Sequence, residues 1–248
     1  MDSFLEVVSE PELLVESQES TKRHTPACGS QERPQAIRAW QRYTDFVRDP
    51  GRKCRDCWLM AEHCCCAEMP KEVRLRPKVI LVMHYRELEK HLGSNTAKLL
   101  LHFGAELFAW GVEDQDARLA EVLAEDVPRT AVLFPSPDAV PASSLVPVGA
   151  SPSRIVVLDG GWNECKRINE WIDPCITRCV VTTATREEFG GTRKYGGCAE
   201  RVQTAAAFAA LLSELGEDTE HVAAVKAGLS KFMKAWETQI RRSKTHVT

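Results

Sequence analysis

At 248 residues, 44% of them hydrophobic and 27% charged, the chain carries enough apolar material for the core of one large domain with appendages. No apolar run approaches the ~20 residues that span a bilayer, and the opening MDSFLEVVSEPELL has neither the basic leader of a secretory signal nor the arginine-rich pattern of a mitochondrial one. The formal net charge of −3 hides an asymmetry, because residues 1–35 hold seven acids against Lys22, Arg23 and Arg33.

Residues 1–35 are rich in Glu, Ser, Pro and Gln with little periodicity, which is the composition of a disordered acidic tail. A helix is expected over Ala36 to Arg48, leading into CRDCWLMAEHCCCA. There Cys54 and Cys57 form one close pair and Cys64 to Cys66 supply a second, so residues 36–76 read as a helix and a four-cysteine zinc module. A two-residue gap lets a tight turn aim two sulfurs inward, and Cys64 with Cys66 can close a tetrahedral site. The assignment is Cys54, Cys57, Cys64 and Cys66, with Cys65 pointing elsewhere or exchanging with a neighbour. Iron-sulfur ligation is the other use of such thiolates. Four sulfurs fill every position of the metal, so its role is structural and the chemistry lies elsewhere. The remaining cysteines follow no repeated spacing, as expected of reduced thiols in a cytosolic or nuclear protein.

From residue 77 the texture changes. KVILVMH reads as a buried strand, SNTAKLLLHFGAELFAW as a helix, and a charged helix follows near Gln115 to Glu125. Next come AVLFP as a second strand, RIVVLD as a third, WNECKRINEWI as a helix and CVVTT as a fourth strand. Thr204 to Leu215 and the apolar stripe from Val222 to Ile240 form terminal helices. The alternation over 77–248 argues for an α/β domain with a mostly parallel sheet. Bases gather around and just after the cysteines (Arg52, Lys53, Arg55, Lys71, Arg74, Arg76, Lys78) and near Arg186, Arg193, Lys194 and Arg201. Such clusters suit a phosphate backbone or a solvated face.

Open parallel sheets place ligands where strands end. Three strand-end loops carry polar signals. His84-Tyr85-Arg86-Glu87 is followed by Gly93-Ser94-Asn95-Thr96, a helix start suited to an anion or to simple capping. Phe134-Pro135-Ser136-Pro137-Asp138 turns sharply. Leu158-Asp159-Gly160-Gly161-Trp162 joins a carboxylate, two glycines and an aromatic face. Asp159 is there a general base, a ligand acceptor or a helix cap, and Trp162 a stacking platform or a core residue. No Walker-type phosphate loop and no dinucleotide fingerprint is present, which disfavours an ATP-driven or nicotinamide enzyme.

The ordered set CRDC…CCC, HYRE, SNTAKLL, LFPSPDA and LDGGWNECKRI resembles the DTW-domain family over roughly Arg52 to Gly216. The resemblance implies a tRNA-uridine aminocarboxypropyltransferase that moves the 3-amino-3-carboxypropyl group of S-adenosylmethionine to N3 of a tRNA uridine, releasing methylthioadenosine. It also implies a SPOUT-like, knotted α/β fold, although nothing in the periodicity shows a knot. Asp159 and Trp162 match the family's Asp-x-Thr-Trp signature, with Gly161 where threonine is usual. Tyr85 replaces a usual proline. Gln203-Thr204-Ala205-Ala206-Ala207 stands where the family has Ser-Thr-x-Glu-Ala, without the acid.

Carried onto this chain, the resemblance makes Asp159 the base for uracil N3 and packs Trp162 against cofactor or uridine. Ser94, Asn95 and Thr96 would take the methionine carboxylate. Phe134, Pro135, Ser136, Gly160 and Gly161 would enclose the adenosine, and His84 and Glu87 would complete the cofactor site. The zinc module and basic clusters would grip tRNA. A SAM-dependent RNA methyltransferase and a noncatalytic zinc-containing RNA-binding module are the alternative readings.

Overall fold

Strands that are apolar at nearly every position, such as KVILVMH and RIVVLD, have to be covered on both faces. The computed structural model, which describes residues 32–71, 73–90, 95–146, 151–183 and 203–245, does this with helices on either side of a six-stranded parallel sheet. The strands are β1 (Lys78–His84), β2 (Glu106–Trp110), β3 (Thr130–Leu133), β4 (Val140–Pro141), β5 (Arg154–Asp159) and β6 (Thr177–Val180). Their spatial order is β2-β1-β5-β3-β6-β4, and every pairing is parallel.

Alternation along the strands sorts the core into two halves. Val79, Leu81, Met83, Ile155 and Val157 point to one face, where they join the first helix α1 (Arg33–Arg48) and the last two, α6 (Thr204–Glu214) and α7 (Thr219–Thr245). Ile80, Val82, Val156 and Leu158 point to the other, covered by α4 (Glu113–Ala124) and α5 (Trp162–Trp171). Cys57, Trp58 and Leu59 belong to the first half, so the cysteine segment shares a core with the sheet. The helix expected from Ala36 already begins at Arg33, where Pro34 supplies a preset φ for the first turn.

One element differs in kind from the sequence reading. The single helix expected over residues 94–110 is instead a one-turn helix, α3 (Leu99–His102), followed by strand β2. A glycine separates them: Gly104 has φ +84°, a conformation that ends a helix readily and that other residues rarely adopt. Beyond it, Phe108 and Trp110 reach one face and Ala109 the other, while the backbone pairs with Ile80 to His84. The short helix α2 (Tyr85–Lys90) and the two-residue β4 were not apparent in the pattern.

Two buried charges tie these layers together. Arg178 on β6 gives its guanidinium hydrogens to the carbonyls of Asn169, Ile172, Asp173 and Ile176 and to Asn169 Oδ1, thereby serving the carbonyls left open at the end of α5. Glu217, between α6 and α7, accepts from Arg76 Nε at 3.0 Å and from the Arg76 and Asp218 main-chain N–H groups, fastening the segment that leads into β1. Replacing Arg178 by Met should cost about 2–4 kcal/mol in denaturant unfolding, because several buried acceptors lose a charged donor. A loss under about 0.5 kcal/mol would mean that those carbonyls find other partners.

Candidate functional site

The cysteine segment begins with a tight turn: Trp58 N–H bonds to the Cys54 carbonyl at 2.9 Å and Cys54 N–H to the Leu59 carbonyl at 2.7 Å. Trp58 sits at φ +57°, unusual for a residue with a side chain, and is held there by Tyr43 and Phe46 of α1, which meet its ring edge-on. The turn brings the sulfurs of Cys54, Cys57, Cys64 and Cys66 within 4.8 Å of one another, with Cys54 and Cys66 at 3.6 Å. Tetrahedral ligands at a Zn–S distance of about 2.3 Å would stand about 3.8 Å apart. Cys65 lies outside this group and is buried in the core. Side-chain hydrogen bonds from Cys65 and Cys66 hold the Cys57 thiol far below its ordinary range, and burial pushes Cys64 up to about 11. Four converging thiols cannot all ionise without a cation among them, and the donor set can hold a metal ion.

Asp159 ends β5, the strand between β1 and β3. The chain leaves β1 toward β2 and leaves β3 toward the opposite edge, so the loops part on either side of β5, as at the ligand-binding crevice of open α/β sheets. Only 7% of Asp159 is exposed. One carboxylate oxygen accepts from Asn95 Nδ2 at 2.7 Å and the other from Thr204 Oγ1 at 3.0 Å. Asn95 is held in turn, its Oδ1 accepting from Lys98 N–H at 3.3 Å and its Nδ2 also lying 3.4 Å from Glu87 Oε2. Lys98 is fully buried, with Nζ 5.0 Å from the Trp58 ring centre and 4.8 Å from that of Phe232, and burial lowers its pKa to about 7. A continuous series of contacts therefore runs from the cysteine turn through Trp58, Lys98 and Asn95 to Asp159.

The remaining expected site residues fall into two further groups. Phe134 is buried after β3, and Trp162, 42% exposed at the first turn of α5, stands 6.1 Å from it, ring centre to ring centre. Pro135 is exposed, and Ser136 donates to Asp138 at 2.6 Å. His84 lies on the α4/α5 side of the sheet, across from the Asp159 carboxylate, between Tyr85 and Trp110 and fully buried. Burial lowers its pKa to about 4, so it is neutral at neutral pH. A Cβ on Gly160 would come within 3.1 Å of His84 Cβ and 3.3 Å of Glu164 Cβ, which is why the turn from β5 to α5 takes a glycine. A Cβ on Gly161 would meet Glu164 Oε2 at 2.3 Å, so in this chain the Glu164 carboxylate fills the space of a side chain at 161.

Ser94 lies outside the described residues, as do Arg186, Arg193, Lys194 and Arg201. Asn95 and Thr96 precede only a one-turn helix, too short for the aligned dipoles expected of a longer one, and Asn95 is committed to Asp159. Of the other departures, Tyr85 is buried and its hydroxyl donates to Gln35 on α1 at 3.3 Å. Ala206 is packed in the core. Sequence reading missed Thr204, Lys98 and Glu164. A lysine between Ala97 and Leu99-Leu100-Leu101, a charge inside an apolar run, was the signal for the second.

A family model for the DTW domain matches residues 51–240, a span that holds the four cysteines and Asp159 and reaches past Gly216 through most of α7. No curated protein and no solved structure matches the chain. One tightly held metal ion per chain is expected by elemental analysis of purified protein, and Cys54→Ser should lose it together with several degrees of melting temperature. Full stability in protein free of zinc and iron would remove the metal site.

Proposed function

The chain belongs to the DTW-domain family of tRNA-modifying transferases, and on that premise we propose that it transfers the 3-amino-3-carboxypropyl group of S-adenosylmethionine to N3 of a tRNA uridine. The observation that carries the reading is Asp159: a carboxylate at the end of the central strand, oriented by Asn95 on one oxygen and Thr204 on the other. Asp159 accepts the N3 proton of uracil as that nitrogen attacks the carbon bonded to the sulfonium. The carbon–sulfur bond breaks, its electron pair returns to sulfur, and methylthioadenosine leaves. The positive sulfur makes the leaving group good, so alignment and deprotonation are what the protein has to provide.

Asn95 and Thr204 orient the base, and Lys98 positions Asn95. Trp162 offers its exposed ring to a flat ligand beside Phe134, and near-complete cover of Asp159 favours a uridine taken out of its stack over one held in a duplex. The metal is zinc on Cys54, Cys57, Cys64 and Cys66. It supplies folding energy to the turn that carries Trp58, and no step passes through it. A SPOUT-like fold is part of the proposal, supported by the parallel sheet covered on both faces.

Asp159→Asn should lower the modification rate by about 100-fold or more, with S-adenosylmethionine binding and melting temperature near those of the wild type. Unchanged turnover in that variant would take the proton-accepting role away from Asp159.

A further inference from the structure

Two arginines at the carboxyl ends of the strands converge on a single carboxylate. Arg167, on α5, grips Glu32 through a forked contact, NH1 to Oε1 at 3.3 Å and NH2 to Oε2 at 2.8 Å. Arg86, two residues past the end of β1, approaches the same Oε1 at 3.6 Å and pairs also with Glu164 at 3.3 Å. Both guanidinium groups are backed by aromatic rings, Arg167 at 5.2 Å from Trp110 and Arg86 at 5.7 Å from Tyr85. Both remain partly exposed, at 44% and 41% for Arg86 and Arg167.

A forked arginine contact to two oxygens is the geometry that recognises phosphate as well as carboxylate. The surroundings favour an anion for a second reason. Arg86 N–H donates to His84 Nδ1 at 3.3 Å, which leaves the proton of this neutral ring on Nε2. That Nε2–H and the Nε1–H of the adjacent Trp110 have no acceptor among the described residues. Behind the arginines the corner therefore holds two buried donors with no acceptor among the described residues. Glu32 is the last of the seven acids in residues 1–35, a segment with only three bases. Glu32 meets both arginines, whereas Glu164 is paired with Arg86.

We propose that Arg86 and Arg167 form a binding pair for a phosphodiester of the RNA substrate, and that Glu32 occupies the pair as an internal stand-in which RNA displaces. The inference rests on the tRNA reading above and adds a named anchor and a built-in competitor to it. Partly exposed ion pairs of this kind contribute little net stability, so a polyanion can exchange for the glutamate at small cost. The competition raises the threshold for weak, nonspecific polyanions, because only an RNA that makes further contacts repays the loss of the internal pair.

The test is binding of unfractionated tRNA by fluorescence anisotropy at several salt concentrations, with melting temperatures recorded alongside. Glu32→Gln should bind about threefold to tenfold tighter than the wild type. Arg86→Ala and Arg167→Ala should bind more weakly, each with a log–log salt slope shallower by about 1. Arg167→Ala should also erase most of the gain from Glu32→Gln when the two are combined. A purely structural cluster predicts the opposite pattern: Glu32→Gln lowers the melting temperature and leaves tRNA affinity unchanged. That result, with a wild type that binds tRNA and releases methylthioadenosine, overturns the binding pair alone. A wild type that binds no tRNA at any salt overturns the functional reading and the pair with it.

Discussion

A carboxylate at the end of a strand covered on both faces has to be met by donors from elsewhere in the chain, and the arrangement around Asp159 follows from that requirement. The donors come from Asn95 and Thr204, which are 64 and 45 residues away in sequence. Neither can arrive until β1 and β5 have paired and α6 has packed on the sheet. The carboxylate is thus positioned by tertiary structure, and its two bonded oxygens face a fixed direction at the one place where neighbouring loops part. Burial makes this arrangement exacting, since a buried charge without its donors is costly.

Lys98 extends the same logic toward the cysteines. Its main chain holds Asn95, while its side chain is clamped between Trp58 of the cysteine turn and Phe232 of α7. A tetrathiolate around a divalent ion carries net negative charge, and a buried lysine nearby offsets part of it. The turn that a metal would stiffen thereby lies two contacts from the residue that orients Asp159. Gln239 of α7 accepts from Met60 N–H at 2.7 Å, a further link between the last helix and the cysteine segment. The cysteine segment therefore acts as a wall of the core on one side of the sheet.

How much of this was legible in the sequence differs by element. β1 and β5 were readable because fully apolar runs bounded by polar residues have few other uses, and the four cysteines were readable from spacing alone. The sulfurs of Cys54, Cys57, Cys64 and Cys66 converge, while Cys65, at the entry to the short turn of Cys66–Glu68, is buried in the core. The stretch around β2 misled because Leu99 to Phe103 has helical spacing and Glu106 to Trp110 continues it in register. Only Gly104 marks the break, and a lone glycine inside a helical pattern is ambiguous. Asp159 and Trp162 stood out in sequence, yet the partners of Asp159 did not. Asn95 looked like part of a helix start, and Thr204 like the first residue of an alanine-rich core helix. Side-chain bonds between distant segments leave no periodic trace. Glu164 filling the space beside Gly161 is of the same kind, a contact set by a neighbour one helical turn away.

The central claim concerns which carbon of the sulfonium donor reaches which atom of RNA. The most direct measurement incubates the purified protein with S-adenosylmethionine and tRNA and identifies both products by mass spectrometry. The account predicts methylthioadenosine in the small-molecule fraction and 3-(3-amino-3-carboxypropyl)uridine among the tRNA nucleosides, in equal amounts. S-adenosylhomocysteine with a methylated nucleoside, or no change in the tRNA at all, would contradict it.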